Sequence, residues 1–219
     1  MKIDFYYSIG SRYSYLAATQ IDTLQQETGC EVEWHPVNSV RLIVQGERNP
    51  FEGKPISGQY EWAYRELDAQ RWAKLYGVPY LEPRGRVDFD SEVLALACTA
   101  AKRMGKVEEY SRLLFANMFE PLSFSKGEVP TKIDERECVT AAEKCGISSV
   151  DFQIALREPE TKNQLNATLN RAHRAGVFGV PTFVAGDELF WGNDRIILLR
   201  HYLESPTLHN RLDPITNRD

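Results

Sequence analysis

At 219 residues the chain is long enough to bury a core, as one large domain or two small ones. It is 42% apolar and 26% charged, and no stretch approaches the roughly 20 consecutive apolar residues that cross a bilayer, so it reads as soluble and globular with no membrane partner. A net charge of −5 without a basic cluster argues against nucleic acid as a partner. The opening Met1-Lys2-Ile3-Asp4 runs straight into an alternating pattern, with no charged leader or apolar signal core, which points to the cytoplasm.

Ile3, Phe5 and Tyr7 alternate with Lys2, Asp4 and Tyr6, the period of a strand with one better-buried face. After Ser8-Ile9-Gly10-Ser11 the period changes. Leu16, Ala17, Ile21 and Leu24 mark one side of a single helix over residues 13–28, and Gly29 is placed to stop it. Val32 and Trp34, between Glu31 and Glu33, predict a second strand ending at Pro36. These elements form a β-α-β unit, whose crossover sets the start of its helix at the carboxyl edge of the sheet, where open α/β folds gather their ligands.

From about residue 40 to 160 strand signals nearly vanish. Helices are predicted over residues 60–76, 91–104, 107–118, 135–144 and 149–156, punctuated by Gly77-Val78-Pro79, Gly105, a loop over 121–130 and Gly146. Past a helix ending near Gly176, strands return over 177–184 and 188–191 around a Gly186-Asp187 turn, and a last helix starts at Asn193 or Asp194. The tail after Glu204 reads as loosely ordered. This order is an α/β thioredoxin-like fold, residues 1–38 and 160–219, interrupted by an all-helical insertion over residues 39–159.

Cys30, Cys98, Cys138 and Cys145 form no C-x-x-C pair and no metal-type spacing with the four histidines. They read as buried or half-buried free thiols, and no metal is expected. Cys138 and Cys145 share a helical face at about 10 Å, too far apart for a disulfide.

Three short motifs carry the candidate chemistry. Ser11-Arg12-Tyr13-Ser14 puts two hydroxyls, at a helix start, in the spacing that thioredoxin-type redox sites give their thiols. Serine is also a preferred helix cap, so Ser11 has a purely structural reading as well. Val180-Pro181-Thr182 sets a proline inside an apparent central strand, where it cannot donate to the ladder. A cis peptide there is one resolution, and thioredoxin-type sites set a cis-proline opposite the helix start. Trp191-Gly192-Asn193-Asp194-Arg195 passes from a strand end into a helix start. Those residues suit capping, and equally suit binding a carboxylate on free amides and an ammonium on Asp194, the two charges of a γ-glutamyl end.

In this combination the chain resembles the 2-hydroxychromene-2-carboxylate isomerase family, which groups with the kappa-class glutathione transferases among DsbA-like thioredoxin folds. The resemblance spans about residues 2 to 204. It rests on Asp4-Phe5-Tyr6 with Ser11-Arg12-Tyr13-Ser14-Tyr15-Leu16-Ala17, on Gln70-Arg71-Trp72-Ala73-Lys74-Leu75-Tyr76-Gly77-Val78-Pro79, on Gly176-Val177-Phe178-Gly179-Val180-Pro181-Thr182-Phe183 and on Trp191-Gly192-Asn193-Asp194-Arg195. It implies glutathione as cofactor, with Ser11 catalytic and in contact with it. It further implies that Val180 pairs its backbone with the cysteinyl part, that Trp191, Gly192, Asn193 and Asp194 surround the γ-glutamyl end, and that Asn49 matches a binding asparagine of the insert. The family's lysine before Gly58 has no match, leaving Lys54 or Arg48 in its place. Asp90 stands where relatives often show asparagine. Arg12 replaces a common proline: it adds positive potential beside a thiolate, reaches a substrate carboxylate, or is an exposed helix residue.

The implied reaction is reversible addition of a Ser11-stabilised glutathione thiolate to a small aromatic substrate, rotation about the former double bond, and departure of the thiol. A kappa-like transferase or peroxidase, which consumes glutathione, and a noncatalytic glutathione- or peptide-binding module are the alternatives. The resemblance admits a homodimer. His35 reads as a packed or half-exposed imidazole rather than a general base, and Trp62, Tyr64, Trp72 and Tyr76 read mostly as core, with one or two left to face an aromatic substrate.

Overall fold

A computed structural model describes residues 1–44, 57–120 and 131–205. Strand β1 (Lys2–Tyr7) pairs in parallel with β2 (Glu31–Pro36), in the register Ile3↔Val32 and Phe5↔Trp34. On its other side β1 meets β5 (Thr182–Ala185) antiparallel, and β5 turns back through Gly186-Asp187 into β6 (Glu188–Trp191). The sheet order is β2-β1-β5-β6.

The crossover from β1 to β2 is two helices, α1 (Arg12–Ala18) and α2 (Ile21–Thr28), where the periodicity predicts one. Four bonds explain the break. Thr19 Oγ1 donates back to the Leu16 carbonyl (2.7 Å), the Gln20 N–H goes to Ala17, and Arg112 donates to the Ala18 carbonyl (3.2 Å) and to the Asp22 carboxylate (2.6 Å). Carbonyls spent in this way are lost to the regular helix ladder. Gly29 does end α2, at φ 68.

The intervening chain carries α3 (Ser39–Val44), α4 (Trp62–Tyr76), β3 (Asp88–Phe89), α5 (Ser91–Arg103), α6 (Val107–Phe119), β4 (Lys132–Ile133), α7 (Glu135–Lys144), α8 (Ser149–Arg157) and α9 (Pro159–Arg174). The five predicted helices are present within about two residues at each end. The block is not all-helical: β3 and β4 pair in parallel as a second, two-stranded sheet, each strand too short to show a period. Helix α3, also absent from the periodicity, starts on Asn38, whose Oδ1 accepts from the Val40 and Arg41 amides. Helix α10 (Ile196–Glu204) follows a 3-10 turn over Asn193–Arg195.

One apolar cluster runs from Ile3, Phe5 and Tyr7 of β1 through α5 and α6 to Phe152 of α8, so the inserted helices share the core of the sheet. Inside it, Tyr7 and Ser111 exchange a 2.5 Å hydrogen bond. The opposite face is covered too, since Tyr6 packs with Leu165, Leu169 and Ala172 of α9; β1 is therefore buried on both faces near its end. All four cysteines are buried free thiols, and burial lifts Cys98 and Cys138 to about 12. Among the described residues no helix is long and apolar enough to cross a membrane.

His35 is fully buried, as a packed imidazole should be. Its Nε2 donates to Asp4 Oδ1 (2.7 Å), while Lys102 Nζ and Arg171 Nη2 approach Nδ1 at 2.9 and 2.6 Å; that tautomer follows from the partners. Asp4, Glu33 and His35 bring ligand atoms within 4.8 Å of one another, yet the two cations already occupy that space. Burial holds His35 below its ordinary 6.5, aided by Lys102 and Arg171 and opposed by Asp4. The unfolded ring takes a proton near 6.5 and the folded ring only at lower pH. Stability from the neutral ring is thus present above 6.5 and is lost as pH falls below it. Urea denaturation of the wild type between pH 7 and 5 should show a slope approaching ~1 kcal/mol per pH unit. The slope should flatten in His35→Gln; equal slopes would remove His35 as its source.

Candidate active site

The register of the sheet brings three distant segments to one end. Because Tyr6 lies opposite Thr182, and Thr182 opposite Trp191, the end of β1, the start of β5 and the end of β6 are neighbours. The Gly192 amide ties the last two together by donating to the Pro181 carbonyl (2.9 Å). Helix α1 packs on the 3-10 turn at Asn193. Of the expected site residues, Ser11, Val180, Trp191, Gly192, Asn193 and Asp194 all fall in these segments; Asn49, like Arg48 and Lys54, lies outside the described residues.

Ser11 is half-buried with extended backbone, and its Oγ accepts from the Ser14 amide at 3.2 Å. It is therefore a true helix cap, and its hydroxyl hydrogen is left to donate elsewhere. Ser14 is fully buried and accepts weakly from the Ser8 amide (3.4 Å), which assigns it to holding the loop. The helix behind Ser11 has only 7 residues, so its dipole is smaller than the predicted long helix would give.

Arg12 is not an exposed helix residue. Its side chain is 7% exposed, with Nη2 donating to Glu82 Oε1 at 3.0 Å and the guanidinium stacked over Trp62 at 5.2 Å. Trp62 also receives Arg65 and Arg84, at 5.0 and 4.6 Å. Trp62 and Tyr64 are 41% and 50% exposed, so neither is core, whereas Trp72 and Tyr76 do pack against it. Two of the four are therefore the open ones, and Trp62, at the start of α4, meets Arg65 of its own helix and Arg12 and Arg84 from outside it.

The Val180-Pro181 bond is cis. Strand β5 begins only at Thr182, so residues 177–181 are not strand as predicted, and Val180 stands before the ladder. Thr182 Oγ1 fixes the bend by donating to the Gly179 carbonyl (2.7 Å). A Cβ on Gly179 would lie 2.7 Å from Trp191 Nε1, so this glycine is what lets the indole close over the loop; Phe178 meets the same ring edge-on at 5.0 Å. Likewise, a Cβ on Gly10 would lie 2.6 Å from Phe89 Cε2, placing the Phe89 ring over the Ser8-Ser11 turn.

Asn193 is buried, with its carbonyl accepting from Tyr76 Oη (3.2 Å) and its Nδ2 donating to the same oxygen (3.4 Å). That residue braces α4 against the turn. Asp194 is the one that presents a charge, its side chain 42% exposed and 3.7 Å from Arg195. Gly192 makes this possible: its φ of 117 favours glycine, and the Asp194 carboxylate fills the space a Cβ would take. Asp90 accepts from the Glu92 and Val93 amides, so it caps α5. Sequence reading missed Glu82, Phe89 and the link between Tyr76 and Asn193; the charged alternation Glu82-x-Arg84-x-Arg86 was the available signal for the first.

The model of the DSBA-like thioredoxin domain matches residues 2–204. A protein named 2-hydroxychromene-2-carboxylate isomerase from Sphingobium xenophagum is 28% identical over 210 residues, covering 92% of this chain and 97% of its own. Glutathione S-transferase kappa 1 of Rattus norvegicus is 25% identical over 233 residues, covering 96% and 97%. A solved 2-hydroxychromene-2-carboxylate isomerase superposes with a TM-score of 0.77 at 25% identity, over 96% of this chain and 98% of that one.

The Gly192 geometry has a testable cost. Gly192→Ala should lose about 1–3 kcal/mol in urea denaturation, because the strained backbone and the displaced Asp194 act together. Gly29→Ala, at φ 68 with nothing within 4 Å, should lose only about 1 kcal/mol.

Proposed function

The chain belongs to the DSBA-like thioredoxin family, and from that premise we propose that it is a glutathione-dependent isomerase of a small aromatic substrate, similar in reaction to 2-hydroxychromene-2-carboxylate isomerase. The observation that carries this reading is the Ser11 hydroxyl, which accepts the Ser14 amide and retains its own hydrogen for an anion beside the cis-proline loop. Aromatic catabolism in the cytoplasm is the matching setting.

The residues present fit glutathione. Val180 offers backbone outside the ladder, Gly179 keeps the approach low under Trp191, and Asp194 offers a half-exposed carboxylate for an ammonium. Asn193 serves by holding this turn to Tyr76. Glutathione held by these residues would supply a nucleophilic thiolate, whose reversible addition to a double bond conjugated with a carbonyl, with the electron pair delocalised onto that carbonyl, would permit rotation and return the thiol unchanged. Ser11 contributes a hydrogen bond to sulfur that favours the thiolate over the thiol. A thiol of pKa near 8.5 is only a few per cent ionised at pH 7, and a fall of one to two units stabilises the anion by about 1.4–2.7 kcal/mol.

A dithiol oxidoreductase does not fit, since serines hold both positions of the pair and every cysteine is buried, Cys98 and Cys138 with thiols near 12. The likeness to a kappa glutathione transferase supports one second reading, in which the same thiolate forms a conjugate that is released.

Ultraviolet titration of glutathione bound to the wild type should show thiolate appearing about one to two pH units below free glutathione. Ser11→Ala should return it to the free value, and Ser11→Thr, which keeps hydroxyl and cap, should retain most of the shift. An unchanged titration in Ser11→Ala would dismiss the role of this hydroxyl.

A further inference from the structure

The buried His35 ring offers one acceptor to two cations. Its Nε2 hydrogen goes to Asp4, so Nδ1 carries a single lone pair, which Lys102 Nζ approaches at 2.9 Å and Arg171 Nη2 at 2.6 Å. A proton added at Nδ1 would turn that acceptor into a donor aimed at both cations. The two are not equally tied. Lys102 also donates to Glu33 Oε1 (3.1 Å) and to the Trp34 carbonyl (2.8 Å), whereas Arg171, an exposed residue of α9, has no ion-pair partner among the described residues. Arg171 is therefore the cation that yields. The other groups facing the ring do not answer the proton in its place. Asp4 is held below its ordinary value by its bond to His35, and Glu33 is held at about 2, chiefly by Lys2, so both stay charged in mild acid. Tyr6, pushed up to about 12 by burial, stays neutral.

Arg171 belongs to the last turn of α9, which runs into the segment before the cis Val180-Pro181 bond. The Ala172 and His173 carbonyls of that turn accept from the Val177 and Gly176 amides, both at 2.9 Å. Ala172 and Val177 are buried in one cluster with Tyr6, whose ring lies on His35 with centroids 5.0 Å apart. The imidazole, its cation and the approach to the loop are thus packed together. We propose that His35 and Arg171 form a pH-operated latch on this loop: the neutral ring holds the end of α9 and residues 176–180 in place, and protonation of the ring expels Arg171 and loosens them. The latch stands apart from the chemistry at Ser11 and does not depend on which ligand the loop takes.

Amide hydrogen exchange of the ligand-free chain, followed by NMR beside the His35 ring signals from pH 7 down to the acid limit of folding, tests it. Protection of the Gly176 and Val177 amides should fall in step with ring protonation, by up to about tenfold per pH unit, the limit for one proton. The Tyr110 amide of α6, bonded to the Lys106 carbonyl, should fall no further than overall stability does. In His35→Gln the loop amides should show no such fall, and His173→Gln, which removes the other imidazole of that turn, should leave it intact. Arg171→Met, at an exposed position that spares the fold, takes a cation from beside the ring. Its His35 should accept a proton at higher pH, and its Gly176 and Val177 amides should already be weakly protected at pH 7. A ring that stays neutral until the chain unfolds, or loop protection that holds steady while the ring titrates, would overturn the latch. So would an equal fall in His35→Gln, or an unmoved ring titration in Arg171→Met.

Discussion

The antiparallel seam between β1 and β5 is the constraint on which the rest depends. Phe5 and Phe183 face each other across it with rings stacked at 4.7 Å, both fully buried, and Tyr6 lies against Thr182. A slip of one residue would turn Phe183 out of the core, so apolar packing fixes the register. The register in turn sets the start of β5 beside the end of β1, and β6 follows. Loops separated by some 170 residues therefore meet at one end of the sheet, with Ser11 on one and the cis Val180-Pro181 bond on the other.

The inserted helices add what the sheet alone lacks. Phe89 closes over Gly10, Tyr76 braces Asn193, and Glu82 holds Arg12 from a turn between α4 and α5. Two buried ionic groups result, on different sides of the sheet. Both ring nitrogens of His35 have partners; beside Glu82, Nη1 of Arg12 and Nη1 of Arg86 have none among the described residues. Buried ion pairs are weak evidence of stability, because desolvation offsets much of the attraction. Their contribution here is position. The first fixes the far face of β1, and the second stands next to the serine.

Much of this was legible in the residues themselves. Alternation along 2–7 and 31–36 gave the paired strands, Gly29 gave a helix end, and a proline inside an apolar strand pattern flagged a backbone exception that is indeed cis. Local pattern failed where long-range partners decide. The break at Thr19-Gln20 depends on Arg112 of α6, and the burial of Arg12 depends on Glu82 and Trp62. Strand β5 is shorter than its apolar run because Thr182 closes a bend onto Gly179. Asn193 and Asp194 were both expected at the γ-glutamyl end; the Tyr76 hydroxyl separates them, drawing one inward and leaving the other to solvent.

The central claim is that the site uses glutathione without consuming it, and thiol bookkeeping during turnover tests that most directly. With a benzylidenepyruvate substrate, isomerisation should require glutathione while the free thiol concentration stays constant over many turnovers. Loss of one glutathione for each product formed would make the chain a transferase, and turnover independent of glutathione would remove the thiolate from the mechanism altogether.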